Sequence, residues 1–257
     1  MTSSPTHLPA HRPRVSPDHD ALLARLPDLP RWVELRALLL TGRCDVVALE
    51  HDPLAAAVAA GAFRSAFVVG RPPFAAMGEA LAIAGESGTL IAPGESVAWV
   101  QDALPEIRPE RAILHELAAG AAVAPVDPGT VRHLHPAEVE MLTLPDELRE
   151  ELRAAESAGT PVAAALAEGM PVSFCYAGSV TESLWDVSID TLEPWRRRGY
   201  AARAAGFEIA RFLRLGCRPV WGAVESNTGS RGLASRLGFV PVDELWLFTT
   251  PPARPAA

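Results

Sequence analysis

The stretch Thr191-Leu-Glu-Pro-Trp-Arg196-Arg-Arg-Gly199-Tyr-Ala201 joins a strand pattern to a helix pattern through an Arg-x-x-Gly-x-Ala turn. Before it, Ser183–Asp190 alternates apolar with polar residues at roughly the period of a half-buried strand. After it, Ala201–Leu215 repeats apolar residues at three- and four-residue spacing and then meets Gly216, a residue type common just past a helix end. The sequence therefore predicts a strand, a glycine turn and a helix in direct succession.

Such a turn brings free main-chain N–H groups and the positive end of the helix to one point, which favours a bound phosphate. We expect Arg196, Arg197, Arg198, Gly199, Tyr200 and Ala201 to bind a phosphate or pyrophosphate. A single glycine after three arginines also fits an ordinary solvated turn, so the neighbouring sequence has to separate the two interpretations.

A second unit follows at once. Pro219–Val224 has the pattern of a short strand, and Phe239–Phe248 that of a closing strand. Between them, Asn227 or Ser230 is suited to cap a short helix that ends at Gly238.

This order of motifs resembles the GNAT superfamily of acyl-coenzyme A-dependent N-acyltransferases. Arg196–Ala201 is similar to its pyrophosphate loop and Asn227–Phe239 to its second cofactor motif, and the likeness covers roughly residues 130 to 250. The pairing of Ile189-Asp-Thr191 with Pro219-Val-Trp221, beside a weakly patterned first half, also resembles a bacterial subgroup of two-part acetyltransferases.

The resemblance implies a mixed α+β fold with a mostly antiparallel central sheet flanked by helices, plus an N-terminal α/β domain. It implies acetyl-coenzyme A as co-substrate and no metal. The pantetheine arm would lie along the strand Leu184–Thr191 and pair with main-chain groups of Ile189, Asp190 and Thr191, while Asn227 and Ser230 would belong to the second cofactor motif.

The implied chemistry is attack of an amine on a thioester. An amine of pKa near ~10 is mostly protonated at pH 7, so a base is needed. We expect Asp186 or Glu225 to be that base, with Glu182 in reserve, because the strands that carry them border the family's reaction centre. For each carboxylate, a surface or capping role is the alternative.

The family's usual acid, a tyrosine in the second motif, is missing. Leu233-Ala234-Ser235 occupies its place, and the chain has only Tyr176 and Tyr200. Water or another donor such as Ser230 would then protonate the leaving thiolate. Two functions stay open: an N-acetyltransferase for a small-molecule amine, and a non-catalytic acyl-coenzyme A sensor.

The amino-acid composition limits the classes of protein to which the chain can belong. The chain has 257 residues, of which 49% are hydrophobic, enough for two domains with cores. No apolar run approaches a membrane span, and Met1–Pro17 lacks a signal-peptide core, so we expect a cytoplasmic protein without membrane contact. A net charge of -8 disfavours non-specific nucleic-acid binding and slightly favours a cationic acceptor.

The absence of lysine and the spacing of the cysteines and histidines argue against several other kinds of site. All 23 basic residues are arginine, which rules out a Schiff base and a Walker-type lysine. Three widely spaced cysteines, Cys44, Cys175 and Cys217, fit buried thiols better than a disulfide framework or a zinc site. His133 and His135 alternate on a predicted strand edge, where we expect them to be solvated rather than metal-binding.

The domain prediction places a flexible N-terminus at 1–17, an α/β domain at 18–126, the acetyltransferase domain at 130–250 and a flexible tail at 251–257. In the first domain we expect strands at 44–49, 65–69 and 89–91 and helices at 21–40, 54–60 and 74–84. That domain carries no chemical signature. It is free to shape the acceptor pocket, to form a homodimer face or to be a degenerate copy of the transferase fold.

Overall fold

A computed structural model describes residues 17–121, 126, 127 and 129–251. The predicted flexible ends lie outside these residues, apart from Pro17 and Pro251, and so does part of the predicted junction at 124–129. The first half contains α1 Pro17–Leu23, α2 Val33–Thr41, β1 Asp45–His51, β2 Leu54–Ala60, β3 Ser65–Val69, α3 Phe74–Ala84, β4 Thr89–Pro93, α4 Val97–Ala103 and β5 Glu110–Leu117. The second contains β6 Val131–His133, α5 Pro136–Met141, α6 Asp146–Ser157, β7 Ala163–Ala167, β8 Met170–Val180, β9 Leu184–Thr191, α7 Tyr200–Arg214, β10 Arg218–Val224, α8 Thr228–Arg236 and β11 Phe239–Thr249.

The eleven strands of the described residues form one sheet, in the order β1-β2-β3-β4-β11-β5-β10-β9-β8-β7-β6. Neighbouring strands run antiparallel except in two pairs, β3 with β4 and β9 with β10. Each parallel pair is joined by a helix, α3 in the first case and α7 in the second, as a parallel connection requires. The predicted α+β class with a mostly antiparallel sheet is confirmed.

After its first strand, β6, the second half repeats the order of the first half: two helices, three antiparallel strands, a helix, a strand parallel to the third, a helix and a last strand. The last strands are exchanged. β11 pairs with β4 of the first half, and β5 pairs with β10 of the second. The same two strands also pair with each other in the middle of the sheet. The sheet therefore crosses the sequence boundary between the halves without a break.

The predicted helix at 54–60 is wrong, because this segment is strand β2. Its alanines favour a helix by intrinsic propensity, but the segment lies between β1 and β3 and buries both of its faces. Ala56 and Val58 pack in the cluster that contains α2, whereas Ala57 and Ala59 pack in the cluster that contains α3. Tertiary packing overrides propensity here.

The predicted helix at 21–40 is two helices. α1 ends at Leu23 and α2 begins at Val33, with a short 3-10 turn at Pro30–Trp32 between them. Pro27 and Pro30 cannot donate the main-chain hydrogen bonds that a continuous helix needs. The break turns α2 so that it packs on β8 and β9 of the second half.

The second half follows its predicted order, and α7 fixes the position of the turn that precedes it. Ala204, Ile209 and Phe212 of α7 are buried against the sheet, where Trp185 and Trp221 join the same cluster. Phe212 stacks on Trp185 with ring centroids 4.2 Å apart. The three cysteines are free and buried, as expected.

Candidate functional site

The turn between β9 and α7 exposes a run of unpaired main-chain donors. Arg197 and Gly199 both adopt left-handed backbone conformations, with φ of 60° and 84°. The first helical bond of α7 runs from the Arg203 N–H to the Gly199 carbonyl at 3.2 Å. In the part of the chain that is described, no group accepts a hydrogen bond from the six N–H groups of residues 197–202. Consecutive free N–H groups in such a turn form an anion-binding concavity.

The arginines of this turn are solvent-exposed and add positive charge around it. The Arg196 side chain donates from Nε to the Thr191 carbonyl at 3.1 Å, while Arg198 lies over the Trp195 ring. Because neither forms an ion pair among the described residues, both charges are available to an anion. The turn thus fits a diphosphate by its main-chain donors and by its charge.

Strands β9 and β10 diverge just before this turn. They pair only from Leu184 with Arg218 to Asp186 with Val220. Beyond Asp186, β9 stays paired with β8 as far as Thr191, and β10 stays paired with β5 as far as Val224. The edge of β9 that faces β10 from 187 to 191 has no partner strand within the described chain. The predicted contacts Ile189, Asp190 and Thr191 lie on this open stretch.

The second predicted motif is a capped helix. Asn227 Oδ1 accepts a hydrogen bond from the Ser230 N–H at 3.0 Å and so caps α8. The Ser230 hydroxyl accepts a bond from Trp221 Nε1 at 2.9 Å. Of the two predicted caps, Asn227 is the one the structure uses, while Ser230 ties α8 to β10.

A cleft opens on the face of the sheet opposite α7. Side chains of β9 alternate between the faces: Trp185 and Val187 pack in the cluster with α7, whereas Leu184 packs with Val33 of α2. Asp186 therefore faces α2. The cleft has a volume of about 240 Å³ and is lined from α2, from the segment Phe63–Phe67, from the end of α6 and from β8 and β9.

Two carboxyl groups, Glu34 and Asp186, line this cleft. Removal from water, and to a smaller extent the Glu34 charge, raise the pKa of Asp186 to about 8, while the hydrogen bond from the Val187 N–H opposes the rise. Glu34 reaches solvent at the cleft, yet protein atoms surround its carboxyl closely enough that desolvation raises its pKa as well. Among the described residues neither carboxylate has an ion-pair partner.

A glycine in a β-bulge makes room for the Asp186 carboxylate. The register of β8 against β9 shifts between Ala177 and Ser179, so Gly178 is the extra residue. A Cβ at Gly178 would lie 3.1 Å from Asp186 Oδ2 and 2.9 Å from Ser188 Oγ. Any other residue at this position would crowd the carboxylate.

The other predicted bases lie in different surroundings. Glu225 is exposed and forms an ion pair with Arg111 at 2.6 Å, and hydrogen bonds from Arg111 lower the pKa of its carboxyl. It does not line the cleft, and its role as a base stays a prediction. Glu182 is paired with Arg36.

The tyrosines and histidines have structural partners. Tyr176 donates a hydrogen bond to Glu151, and burial raises the pKa of its phenol. Tyr200 packs edge-on against Trp195. His133 is not simply solvated, because it contacts the buried Glu208, and His135 caps α5. Among the described residues no group of three or more His, Cys, Asp or Glu is placed to hold a metal ion.

The site residue that sequence analysis missed is Glu34. It lies in the other half of the chain from Asp186, and only the packing of α2 on β8 and β9 brings the two together. A signal for it exists in hindsight. Glu34, Ala37, Leu38 and Thr41 all line the cleft, and their spacing is that of one helix face.

Comparison with known proteins assigns the second half. Residues 160–248 match the family model described as GNAT acetyltransferase. Over this segment the chain is similar to GNAT acetyltransferases. The segment contains β8, β9, the turn before α7 and the second motif, which are the elements on which the resemblance rested. No curated protein sequence matches the chain.

Solved structures share the fold over both halves. A GCN5-related N-acetyltransferase-like protein from Streptococcus suis aligns with a TM-score of 0.65 and 17% identity, covering 91% of this chain and 99% of its own. A GCN5-related N-acetyltransferase from Kribbella flavida gives 0.60 and 15%, with 87% and 95% covered. One from Sphaerobacter thermophilus gives 0.56 and 17%, with 82% and 81% covered. None of the described helices has the length and apolar character needed to span a membrane.

Proposed function

We propose that the protein transfers an acetyl group from acetyl-coenzyme A to a primary amine of a small molecule. The main support for this proposal is the arrangement of strand β9. The anion-binding turn follows the end of β9, and its Asp186 lines the cleft at the point where β9 diverges from β10. The similarity to GNAT acetyltransferases supports acyl transfer in general. The acetyl donor and the amine acceptor are what we propose beyond this general activity.

The chain's own residues divide the binding task. Arg196–Ala201 would hold the pyrophosphate through free N–H groups and arginine charge, and the open edge at Ile189, Asp190 and Thr191 would pair with amide groups of the pantetheine arm. When bound, acetyl-coenzyme A supplies a thioester carbon that bonds to the amine nitrogen while the carbon–sulfur bond breaks and its electron pair leaves on sulfur. Asn227 and Ser230 act through the placement of α8.

Asp186 would take the proton that the amine loses. A carboxyl of pKa about 8 is a stronger base than an ordinary aspartate, and near neutral pH part of it is ionised. The site offers no tyrosine as acid, because Leu233-Ala234-Ser235 stands in the second motif. The thiolate would therefore take its proton from water, which its modest basicity of about 8.5 permits.

The absent tyrosine also favours the second candidate, a module that binds acyl-coenzyme A without turnover. Such a sensor would use the same turn at Arg196–Ala201 and would leave Asp186 without a chemical task. The two candidates share cofactor binding and differ in whether free coenzyme A is released.

The test is calorimetric titration with acetyl-coenzyme A, followed by a thiol-release assay against a panel of amines. The transferase predicts saturable binding and amine-dependent thiol release. Binding without release from any amine would favour the sensor. Absence of binding would overturn both candidates.

A further inference from the structure

The cleft that faces Asp186 is built by both halves of the chain. Helix α2 of the first half contributes Glu34, Ala37, Leu38 and Thr41, while β8 and β9 of the second contribute the opposite wall. Thr160, just past the end of α6, closes the wall on a third side. The first half therefore supplies a full side of this cleft.

The charge of this cleft is set by three side chains. Glu34 and Asp186 are carboxyl groups without an ion-pair partner in the described structure, whereas Glu182 and Glu225, which do not line the cleft, are each paired with an arginine. The third is Arg43, whose guanidinium lies 4.4 Å from the centre of the Phe63 ring. The Glu34 charge disfavours ionisation of Asp186 across the cleft, and a cation bound between the two carboxyl groups would offset this effect.

The rest of the lining is apolar or uncharged. Ala37, Leu38 and Phe63 offer a surface for a short alkyl chain, and Ser179 and Thr160 offer hydroxyls. An acceptor with a carboxylate beside its amine would bring a third negative charge between Glu34 and Asp186. Electrostatic repulsion would make the binding free energy of such an acceptor less favourable.

We propose that the cleft accepts a small primary amine with a second cationic group, which Glu34 binds while Asp186 faces the reacting amine. This inference rests on the proposed acetyltransferase function. Glu34 is then a specificity-determining residue that the first half contributes to the reaction of the second.

The experiment compares α,ω-diamines of three to six carbons with monoamines of the same length, as acceptors in the thiol-release assay. We expect higher kcat/KM for the diamines, and we expect Glu34→Gln to lower the diamine-to-monoamine ratio of kcat/KM about tenfold. The matched control is Glu79→Gln, since Glu79 is an exposed glutamate of α3 that does not line the cleft. It should keep the wild-type ratio.

Two results would overturn the inference: equal or lower kcat/KM for diamines than for monoamines, or a diamine preference that survives Glu34→Gln. Calorimetric binding of 1,4-diaminobutane separates failure of the inference from failure of the proposed function. Binding that Glu34→Gln weakens, without acetyl transfer, would support the cleft assignment and contradict the transferase. Absence of diamine binding in the wild-type protein, with transfer to monoamines, would do the reverse.

Discussion

At the scale of single residues, Gly199 tests the anion-binding turn. Replacing it with Ala adds a Cβ at a φ of 84°, beside the free N–H groups, and we expect at least a tenfold loss of acetyl-coenzyme A affinity. Gly216→Ala is the matched control, because Gly216 has a φ of 82° and also open space at its Cβ, but lies at the other end of α7. Both variants should lose about 1 kcal/mol of stability, and calorimetry should show the affinity loss only in the first. Equal affinity in the two variants would contradict the site.

Asp186 tests the base and carries a stability cost. Because the pKa of Asp186 is raised by folding, the folded state holds a proton at pH values where the unfolded state has released it. The contribution of protonated Asp186 to the stability of the folded state is therefore fully present at low pH. It is lost as pH rises from about 4, the ordinary value, to about 8. We expect Asp186→Asn to bind acetyl-coenzyme A normally and to lower kcat at least a hundredfold. At pH 8 the variant should also be about 1 kcal/mol more stable to unfolding than the wild type, which corresponds to roughly 2–4 °C in Tm. At pH 4 it should have no such advantage.

The effects of Asp186→Asn are measured by steady-state kinetics and by thermal unfolding at pH 4 and pH 8. Unchanged kcat would move the base elsewhere, and Glu225 would be the next residue to test. A stability gain that is the same at both pH values would show that the Asp186 charge is not the cause.

At the scale of elements, the bulge in β8 positions the carboxylate. Gly178→Ala places a Cβ 3.1 Å from Asp186 Oδ2, so the carboxylate must shift by a few tenths of an ångström or more. We expect kcat to fall about tenfold with acetyl-coenzyme A affinity unchanged. Gly78→Ala in α3, where a Cβ meets no atom within 4 Å, is the control and should keep wild-type kcat. Wild-type kcat in Gly178→Ala would show that the bulge does not position the base.

The packing of α2 on β9 predicts a pH effect. Because the Glu34 charge raises the pKa of Asp186, kcat/KM should rise with pH through about 8 in the wild type. In Glu34→Gln the midpoint of this rise should move to lower pH, since one negative neighbour is gone and Arg43 remains. Measuring both proteins with one acceptor cancels the titration of the acceptor itself. Identical midpoints would contradict the coupling of the two carboxylates.

Most second-half elements could be predicted because they are local. Strand alternation at 184–191, the glycine after the arginines and the Asn cap of α8 each depend on a few neighbouring residues. β2 could not, because its alanines become a strand only between two partners that bury both faces. Glu34 could not be assigned to the site because its role depends on where α2 docks, which no local pattern encodes.

At the scale of the whole molecule, the exchanged strands couple the halves. β11 fills the gap between β4 and β5, so a first half ending near residue 121 would expose two long strand edges. We predict one cooperative unfolding transition for the full chain, seen alike by far-ultraviolet circular dichroism and tryptophan fluorescence. The halves expressed separately should not fold as monomers. Two resolved transitions, or a folded monomeric second half, would contradict this coupling.

The most direct test of the proposed acetyl transfer is mass spectrometry of the products formed from acetyl-coenzyme A and 1,4-diaminobutane by the purified protein. We predict monoacetylated diamine and free coenzyme A in equal amounts, and loss of both products in Asp186→Asn. Free coenzyme A without acetylated amine, or equal product from Asp186→Asn, would contradict it.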